Sequence, residues 1–194
     1  WAITGVCVLG AAHLLGADVE AAGRLLAEVE PPKGRGSQTV VSLPGGGSYT
    51  VIDESYNASP ASMRAAVDVL GATRPGPGGR RIAVLGDMLE LGPDSLSLHG
   101  TLADPLREAG VDLVFACGPN MARLFDALPD SMRGAWADTS DGLLGPVTTA
   151  VRPGDVVTVK GSLGSRMAPL VAALLAPAHA ENGGGPVRKA AGRR

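Results

Sequence analysis

Residues 81–92 read RIAVLGDMLELG, and this stretch is the clearest indication of the fold class. Its first five residues are mostly apolar, a pattern typical of a strand that is buried on both faces of a sheet. Gly86 lets the chain turn off the end of that strand, which exposes Asp87 there. Because buried strands of this kind occur in sheets covered by helices, the stretch predicts an α/β fold.

The same alternation of short strands and helices continues on both sides of this stretch. Residues 39–43 and 49–52 flank the sequence PGGGS at 44–48, which predicts a hairpin. Further strands are predicted at 111–116 and 155–159, and helices at 60–73, 95–109, 140–151 and 166–175, with a short helix that ends at Leu128. The alternation indicates a mostly parallel sheet with helices on both faces.

The start of the chain has a different pattern. Apolar residues at helical spacing predict helices at 1–15 and 19–29, and the sequence PPKGRG at 31–36 predicts a helix stop and a linker. We place a domain boundary near Gly36, with the sheet domain over 37–176. Since the chain begins inside a helical pattern and without Met, we expect a truncated product.

Composition and charge narrow the classes of function. Apolar residues make up 45% of the chain and aromatic residues 3%, so the core must rest on aliphatic side chains. The net charge of −2 gives no overall electrostatic reason to expect binding to nucleic acid or to an anionic membrane. The apolar segment at residues 1–15 is too short to span a bilayer. Cys7 and Cys117 have no CxxC pairing, which favours a reducing compartment. Residues 177–194, rich in Gly, Ala and Arg, are predicted to be disordered.

The stretch DESYN at 53–57 follows a predicted strand and precedes a helix that begins with proline. Ligands of such sheets bind at the carboxyl ends of strands, so Asp53 and Glu54 could hold a ribose diol and Asn57 could bond to an adenine edge. In the alternative interpretation, Asn57 or Ser59 caps the helix and the two acids favour its positive end.

Two further loops carry polar groups at strand ends. Asp87 has His99 on the next helix, but a metal needs several convergent ligands, so helix capping or loop hydrogen bonds are favoured. Residues 160–166 read KGSLGSR; their backbone N–H groups and two cations could bind an anion, or they form a capped turn with cations at the surface. The pattern of a phosphate-binding loop, G-x-x-x-x-G-K-[ST], occurs nowhere in the chain.

These segments, in this order and spacing, resemble the Mur ligases. Residues 53–63, DESYNASPASM, are similar to the DDSYNANPxSM stretch of the member that adds D-alanyl-D-alanine, and residues 82–92 to its IAVLGDMLELG stretch. Residues 160–167 resemble its KGSRxxRM stretch, and Gly34-Arg35 the Gly-Arg that closes the family's central domain. The resemblance covers about residues 1–176. The chain departs from it at Glu54 for Asp, Ser59 for Asn, Leu163 for Arg and Gly36-Ser37 for Met-Glu.

The resemblance implies a domain organisation and a reaction. The family has a uridine-nucleotide domain, a central ATPase and a C-terminal Rossmann-like domain; residues 1–36 would end the central domain and 37–176 would form the third. In the family, ATP phosphorylates the carboxylate of UDP-MurNAc-tripeptide, and the amine of D-Ala-D-Ala attacks the acyl phosphate. This is a cytoplasmic step of peptidoglycan precursor synthesis. ATP and Mg²⁺ would be held mainly by the two missing domains, so we expect the chain alone to be inactive.

The resemblance also implies roles for single residues, none of them a metal ligand. The implied site residues are catalytic Arg35 and Lys160, nucleotide-binding Asp53, Glu54, Tyr56 and Asn57, and substrate-binding Ser162 and Asp87. Arg35 would face the terminal phosphate; Asp53 and Glu54 would hold the ribose. Lys160 would lie on the substrate side of the cleft.

Two other interpretations stay open at the level of sequence. One is a non-catalytic module that binds a nucleotide or a protein partner, because a fold does not fix a function. The other is a related ligase that acts on folate or on another muramyl peptide; the stretches around Asn57 and Asp87 argue against it. A Gly-Lys-Ser/Thr loop encoded upstream would distinguish a ligase from a bare module.

Overall fold

The structure of the protein is a computed structural model that describes residues 2–176. The chain falls into two compact units, which divide between Pro31 and Pro32. The predicted disordered tail at 177–194 lies outside the described residues. None of the described helices is both long and apolar enough to cross a membrane.

The first unit consists of two helices, α1 (Ala2–Leu14) and α2 (Val19–Leu26). The carboxylate of Asp18 caps α2 by accepting hydrogen bonds from the N–H groups of Glu20 and Ala21. No residue of α2 is buried. The large apolar side chains of this unit are largely exposed, among them Ile3, Val6, Leu14, Leu15, Leu25 and Val29.

The second unit is built on one six-stranded sheet, which confirms the predicted fold class. Its strands are β1 (Ser37–Ser42), β2 (Ser48–Glu54), β3 (Arg81–Gly86), β4 (Leu113–Cys117), β5 (Arg133–Ala137) and β6 (Val156–Lys160). They lie in the order β1-β2-β6-β3-β4-β5. The hairpin of β1 and β2 is antiparallel, and every other pairing is parallel. The carboxyl ends of five strands therefore meet at one edge of the sheet.

Helices cover both faces of this sheet, and each face has its own apolar core. The helices are α3 (Pro60–Ala72), α4 (Ser95–Gly100), α5 (Ala103–Glu108), α6 (Met121–Ala127), α7 (Leu144–Ala150) and α8 (Ala168–Leu175). The side chains of β3 alternate between the two cores. Ala83 and Leu85 pack into one core with Leu70 of α3. Val84 packs into the other core with Leu170 of α8.

The sequence prediction differs from the structure at three elements. The helix expected at 95–109 is two short helices, α4 and α5. The helix expected from residue 166 begins at Ala168, because Arg166 has a left-handed backbone with φ of 52°. Strand β5 was not predicted, since its sequence RGAWA lacks the β-branched residues that mark strands. Gly134 fits there because a Cβ at this position would lie 2.9 Å from the ring of Phe115.

Candidate functional site

The edge of the sheet at the ends of β2, β6 and β3 brings most of the predicted site residues together. Strand β6 lies between β2 and β3, and its parallel register places Lys160 beside Glu54 on one side and Leu85 on the other. The loops that follow these strands are therefore neighbours, although they are far apart in sequence. This is the edge at which open parallel sheets bind ligands.

Lys160 is almost fully buried at the end of β6, with 2% of its surface exposed. Its Nζ donates hydrogen bonds to the carbonyl oxygen of Asn57 at 2.9 Å and to Oε2 of Glu54 at 3.4 Å. Burial lowers the pKa of Lys160; Glu54 acts against this shift, and the positive charge of Arg35 adds to it. Lys160 is thus not a surface cation but a group that holds the loop after β2.

Asp53 fixes the linker segment that contains Arg35 against the end of β2. Its carboxylate accepts hydrogen bonds from the N–H of Gly34 at 3.1 Å and the N–H of Ser55 at 3.0 Å, and its carbonyl accepts one from Gly36 at 2.7 Å. Gly34 has φ of 74°, and a Cβ there would lie 2.8 Å from Cβ of Tyr56. Only glycine suits this close approach without strain.

Arg35 stacks on Tyr56. The centre of its guanidinium lies 4.4 Å from the ring centroid, a cation–π contact, and 46% of the Tyr56 surface is exposed. Since Arg35 also acts electrostatically on Lys160, the linker arginine belongs to the same cluster as Glu54. The cluster combines two cations, acidic groups and an aromatic face at the edge of the sheet.

The capping interpretation is correct for Ser59. Ser59 and Ser62 form a reciprocal capping box at the start of α3, each hydroxyl accepting a hydrogen bond from the other residue's N–H. Asn57 takes no part in that cap. Its Oδ1 accepts a hydrogen bond from the N–H of Ala58 at 2.9 Å, and the residue is exposed to solvent. Capping of α3 therefore leaves Asn57 at the surface of the loop.

Asp87 is buried at the end of β3 and organises the loop after β4. Its Oδ1 accepts a hydrogen bond from the N–H of Met121 at 2.8 Å, and its Oδ2 accepts two from Asn120, at 3.2 and 2.8 Å. Gly118 must be glycine, because a Cβ there would lie 2.5 Å from this carboxylate. The carboxylate thus holds the start of α6 and lies in the wall of the adjacent cleft.

His99 is fully buried, and loop hydrogen bonds account for it. Its Nε2 accepts a hydrogen bond from the N–H of Met88 at 2.9 Å, and its Nδ1 lies 2.6 Å from the carbonyl oxygen of Ser95. These partners require the neutral tautomer with the proton on Nδ1. The 3.8 Å approach of Nε2 to Asp87 is therefore not an ion pair. Within residues 2–176, no group of three potential His, Cys, Asp or Glu ligands could hold a metal ion.

A cleft of about 300 Å³ lies beside Asp87, between the loops that follow β3, β4, β5 and β6. Its charged lining includes Arg166, one of the two cations of the predicted anion-binding turn, and also Asp138 and Asp141, which were not selected from the sequence. The two aspartates follow β5, the strand that the sequence pattern did not reveal. Cys117 also lines the cleft, but burial and the charge of Asp87 raise its pKa to about 12, so its thiol stays protonated.

Comparisons with known proteins identify a family for this chain. The family described as "Mur ligase, glutamate ligase domain" matches residues 38–163. The UDP-N-acetylmuramoyl-tripeptide–D-alanyl-D-alanine ligase of Rickettsia prowazekii is 30% identical over 168 residues, which are 87% of this chain and 35% of that enzyme. The enzyme of the same name from Mycobacterium bovis is 33% identical over 193 residues, 88% of this chain and 37% of that enzyme.

Solved structures show the same fold. A crystal structure of MurF from Acinetobacter baumannii superposes with a TM-score of 0.72 at 27% identity, over 88% of this chain and 36% of that one. A MurF structure from Thermotoga maritima, in complex with ADP, shares the fold with a TM-score of 0.65 at 24% identity, over 86% of this chain and 35% of that one.

The chain belongs to the Mur ligase family, through the C-terminal domain that the family match covers. Its relatives are MurF enzymes at about 30% identity, and the chain spans about a third of the length of the curated relatives it matches.

Proposed function

We propose that the chain is the C-terminal part of an ATP-dependent amide ligase of peptidoglycan precursor synthesis. The complete enzyme would join D-Ala-D-Ala to the carboxylate of UDP-MurNAc-tripeptide in the cytoplasm. The names of the relatives support this substrate pair, since those at 30% and 33% identity are both D-alanyl-D-alanine-adding ligases. In the complete enzyme, the N-terminal and central domains would supply the phosphate-binding loop.

The observation that carries this proposal is the cluster of Arg35, Glu54 and Lys160 around the loop after β2. Lys160 is buried between Glu54 and the carbonyl of Asn57, and Arg35 stacks on Tyr56 beside them. A bare structural domain gains little from burying a cation at a strand end, because the desolvation of such a group is costly. A site that must hold charged groups in fixed positions accepts that cost.

The residues of the loop fit a nucleoside. The carboxylate oxygens of Asp53 each accept one main-chain hydrogen bond and keep a further lone pair, and the side chain of Glu54 is 26% exposed. Both could accept hydrogen bonds from ribose hydroxyls. The exposed Asn57 and the ring of Tyr56 would contact the adenine side, while Ser162 and Asp87 would border the substrate cleft.

The described residues offer no group of three potential His, Cys, Asp or Glu ligands for Mg²⁺. We therefore assign no step to a metal bound by this chain and place Mg²⁺ with the central domain. We propose that residues 1–36 end that domain, that 37–176 form the C-terminal domain, and that Arg35 reaches the terminal phosphate of ATP when the domains close.

Titration of the protein with ADP directly tests whether the loop after β2 binds a nucleotide. We expect the amide signals of Tyr56 and Asn57 to shift in ¹H–¹⁵N spectra, and Glu54→Gln to weaken ADP binding several-fold. Glu108→Gln is the matched control, because Glu108 is an exposed acid on α5, away from this loop. Shifts confined to other parts of the chain, or equal binding by Glu54→Gln, would refute the assignment.

A further inference from the structure

The order of the strands places one hydroxyl between two loops of the site. Strand β6 lies between β2 and β3, so the turn after β6 is flanked by the β2 loop, residues 55–59, and the β3 loop, residues 87–91. Ser162 is the second residue of this turn and is only 6% exposed. Its side chain therefore faces protein groups of both loops rather than solvent.

The hydroxyl of Ser162 bridges the two loops. Its Oγ accepts a hydrogen bond from the N–H of Leu89 at 2.9 Å and donates one to the carbonyl of Ala58 at 3.4 Å. A hydroxyl can do both at once, because it is a donor and an acceptor. The second bond is long, so the link is weak, but Lys160 holds the neighbouring carbonyl of Asn57 at 2.9 Å. Two successive carbonyls of the β2 loop are thus bound, one by the last residue of β6 and one by the turn that follows it.

The same turn connects onward to the cleft. The N–H of Ser162 and the hydroxyl of Ser165 both donate to the carbonyl oxygen of Asp87, at 3.0 and 2.9 Å. The carboxylate of Asp87 in turn fixes Asn120 and Met121 at the start of α6. A continuous series of hydrogen bonds therefore runs from the β2 loop through Ser162 to the wall of the cleft.

We propose that Ser162 is a positioning residue that couples the β2 loop to the β3 loop, so that ordering one loop orders the other. In the proposed ligase, occupation of the nucleotide side would then order the substrate side. That consequence rests on the proposed function, whereas the coupling of the two loops does not. Ser162 acts through the main chain of both loops and is not a catalytic residue.

Amide hydrogen exchange of the protein without ligand tests the coupling first. Ser162→Ala leaves the N–H of Leu89 and the carbonyl of Ala58 without this partner, so we expect exchange about tenfold faster at Leu89 and about threefold faster at residues 57–59. Ser165→Ala is the control, since its hydroxyl contacts Asp87 but not the β2 loop; residues 57–59 should exchange at the parent rate. Residues 114–117 of β4 report whether a variant is folded.

If Ser162→Ala unfolds, Ser162→Cys replaces it, because the thiol has a similar size but is a weak donor and acceptor. Adding ADP then tests the consequence: in the parent, protection should spread from residues 53–57 to 88–91, and in the Ser162 variant it should stop at 53–57. Exchange at 57–59 that is unchanged in a folded Ser162 variant overturns the coupling. If ADP does not slow exchange at residues 53–57 of the parent, the proposed nucleotide site is refuted, but the coupling of the two loops is not.

Discussion

The guanidinium of Arg35 stacks on the ring of Tyr56 at 4.4 Å, and this contact fastens the linker to the loop after β2. An exposed cation–π contact contributes about 0.5–1 kcal/mol. We expect Tyr56→Ala to speed tryptic cleavage after Arg35 about two- to fivefold, because the linker opens more often. Tyr56→Phe keeps the aromatic face and should cleave at the parent rate. Equal rates for Ala and Phe would show that the stack does not hold the linker.

Arg35 should act on turnover rather than on nucleotide affinity. In the complete ligase, or in a fusion of residues 32–194 to the upstream domains of the Mycobacterium bovis relative, Arg35→Lys should lose about 2–4 kcal/mol of transition-state stabilisation. Lysine keeps the charge but cannot present a planar fork to a phosphate. Steady-state kinetics decide the matter: a kcat within about threefold of the parent, under about 1 kcal/mol, makes Arg35 a linker residue only.

The buried Lys160 predicts a pH dependence of stability. Because its pKa is lowered from 10.5, the unfolded chain binds more protons than the folded chain between the lowered value and 10.5. The free energy of unfolding of the parent, minus that of Lys160→Met, should therefore rise as the pH increases through this interval. Urea denaturation from pH 7 to 10.5 measures it, and the difference cancels the contributions of other groups. A difference that falls with pH contradicts the assignment.

At the opposite edge of the sheet, Asp155 holds the starts of β3 and β6 together. Its side chain is fully buried; it pairs with Arg80 at 2.7 Å and also accepts hydrogen bonds from the N–H groups of Arg80 and Arg152. Asp155→Ala should destabilise the protein by about 3 kcal/mol, because it leaves these donors unpaired. Asp130→Ala, which removes the largely exposed partner of Arg133, should cost under about 1 kcal/mol. Thermal denaturation of both variants compares them; equal losses would contradict this account.

The sequence was sufficient to predict the sheet because the strands at the centre of the sheet are continuous apolar runs. It was not sufficient for β5, whose glycine is required by the ring of Phe115, a contact between residues that only the fold brings together. For the same reason Asp138 and Asp141, which follow β5, could not be selected as lining a cleft.

Motif similarity placed Lys160 near the site but could not show its surroundings. Its burial depends on β6 lying between β2 and β3, a strand order that the linear sequence does not display. Arg166 lies in the stretch 160–167 that resembles the family motif. No feature of the sequence predicted its left-handed backbone, which ends the turn before α8.

The assignment of this chain as the C-terminal part of a ligase can be tested by product formation in the fusion of residues 32–194 to the upstream domains of the Mycobacterium bovis relative. We predict that mass spectrometry will detect the amide product when ATP, UDP-MurNAc-tripeptide and D-Ala-D-Ala are all present. We predict none from the 194-residue chain alone, which contains no phosphate-binding loop. A folded fusion that binds ADP but forms no product, or product formed by the chain alone, would contradict the account.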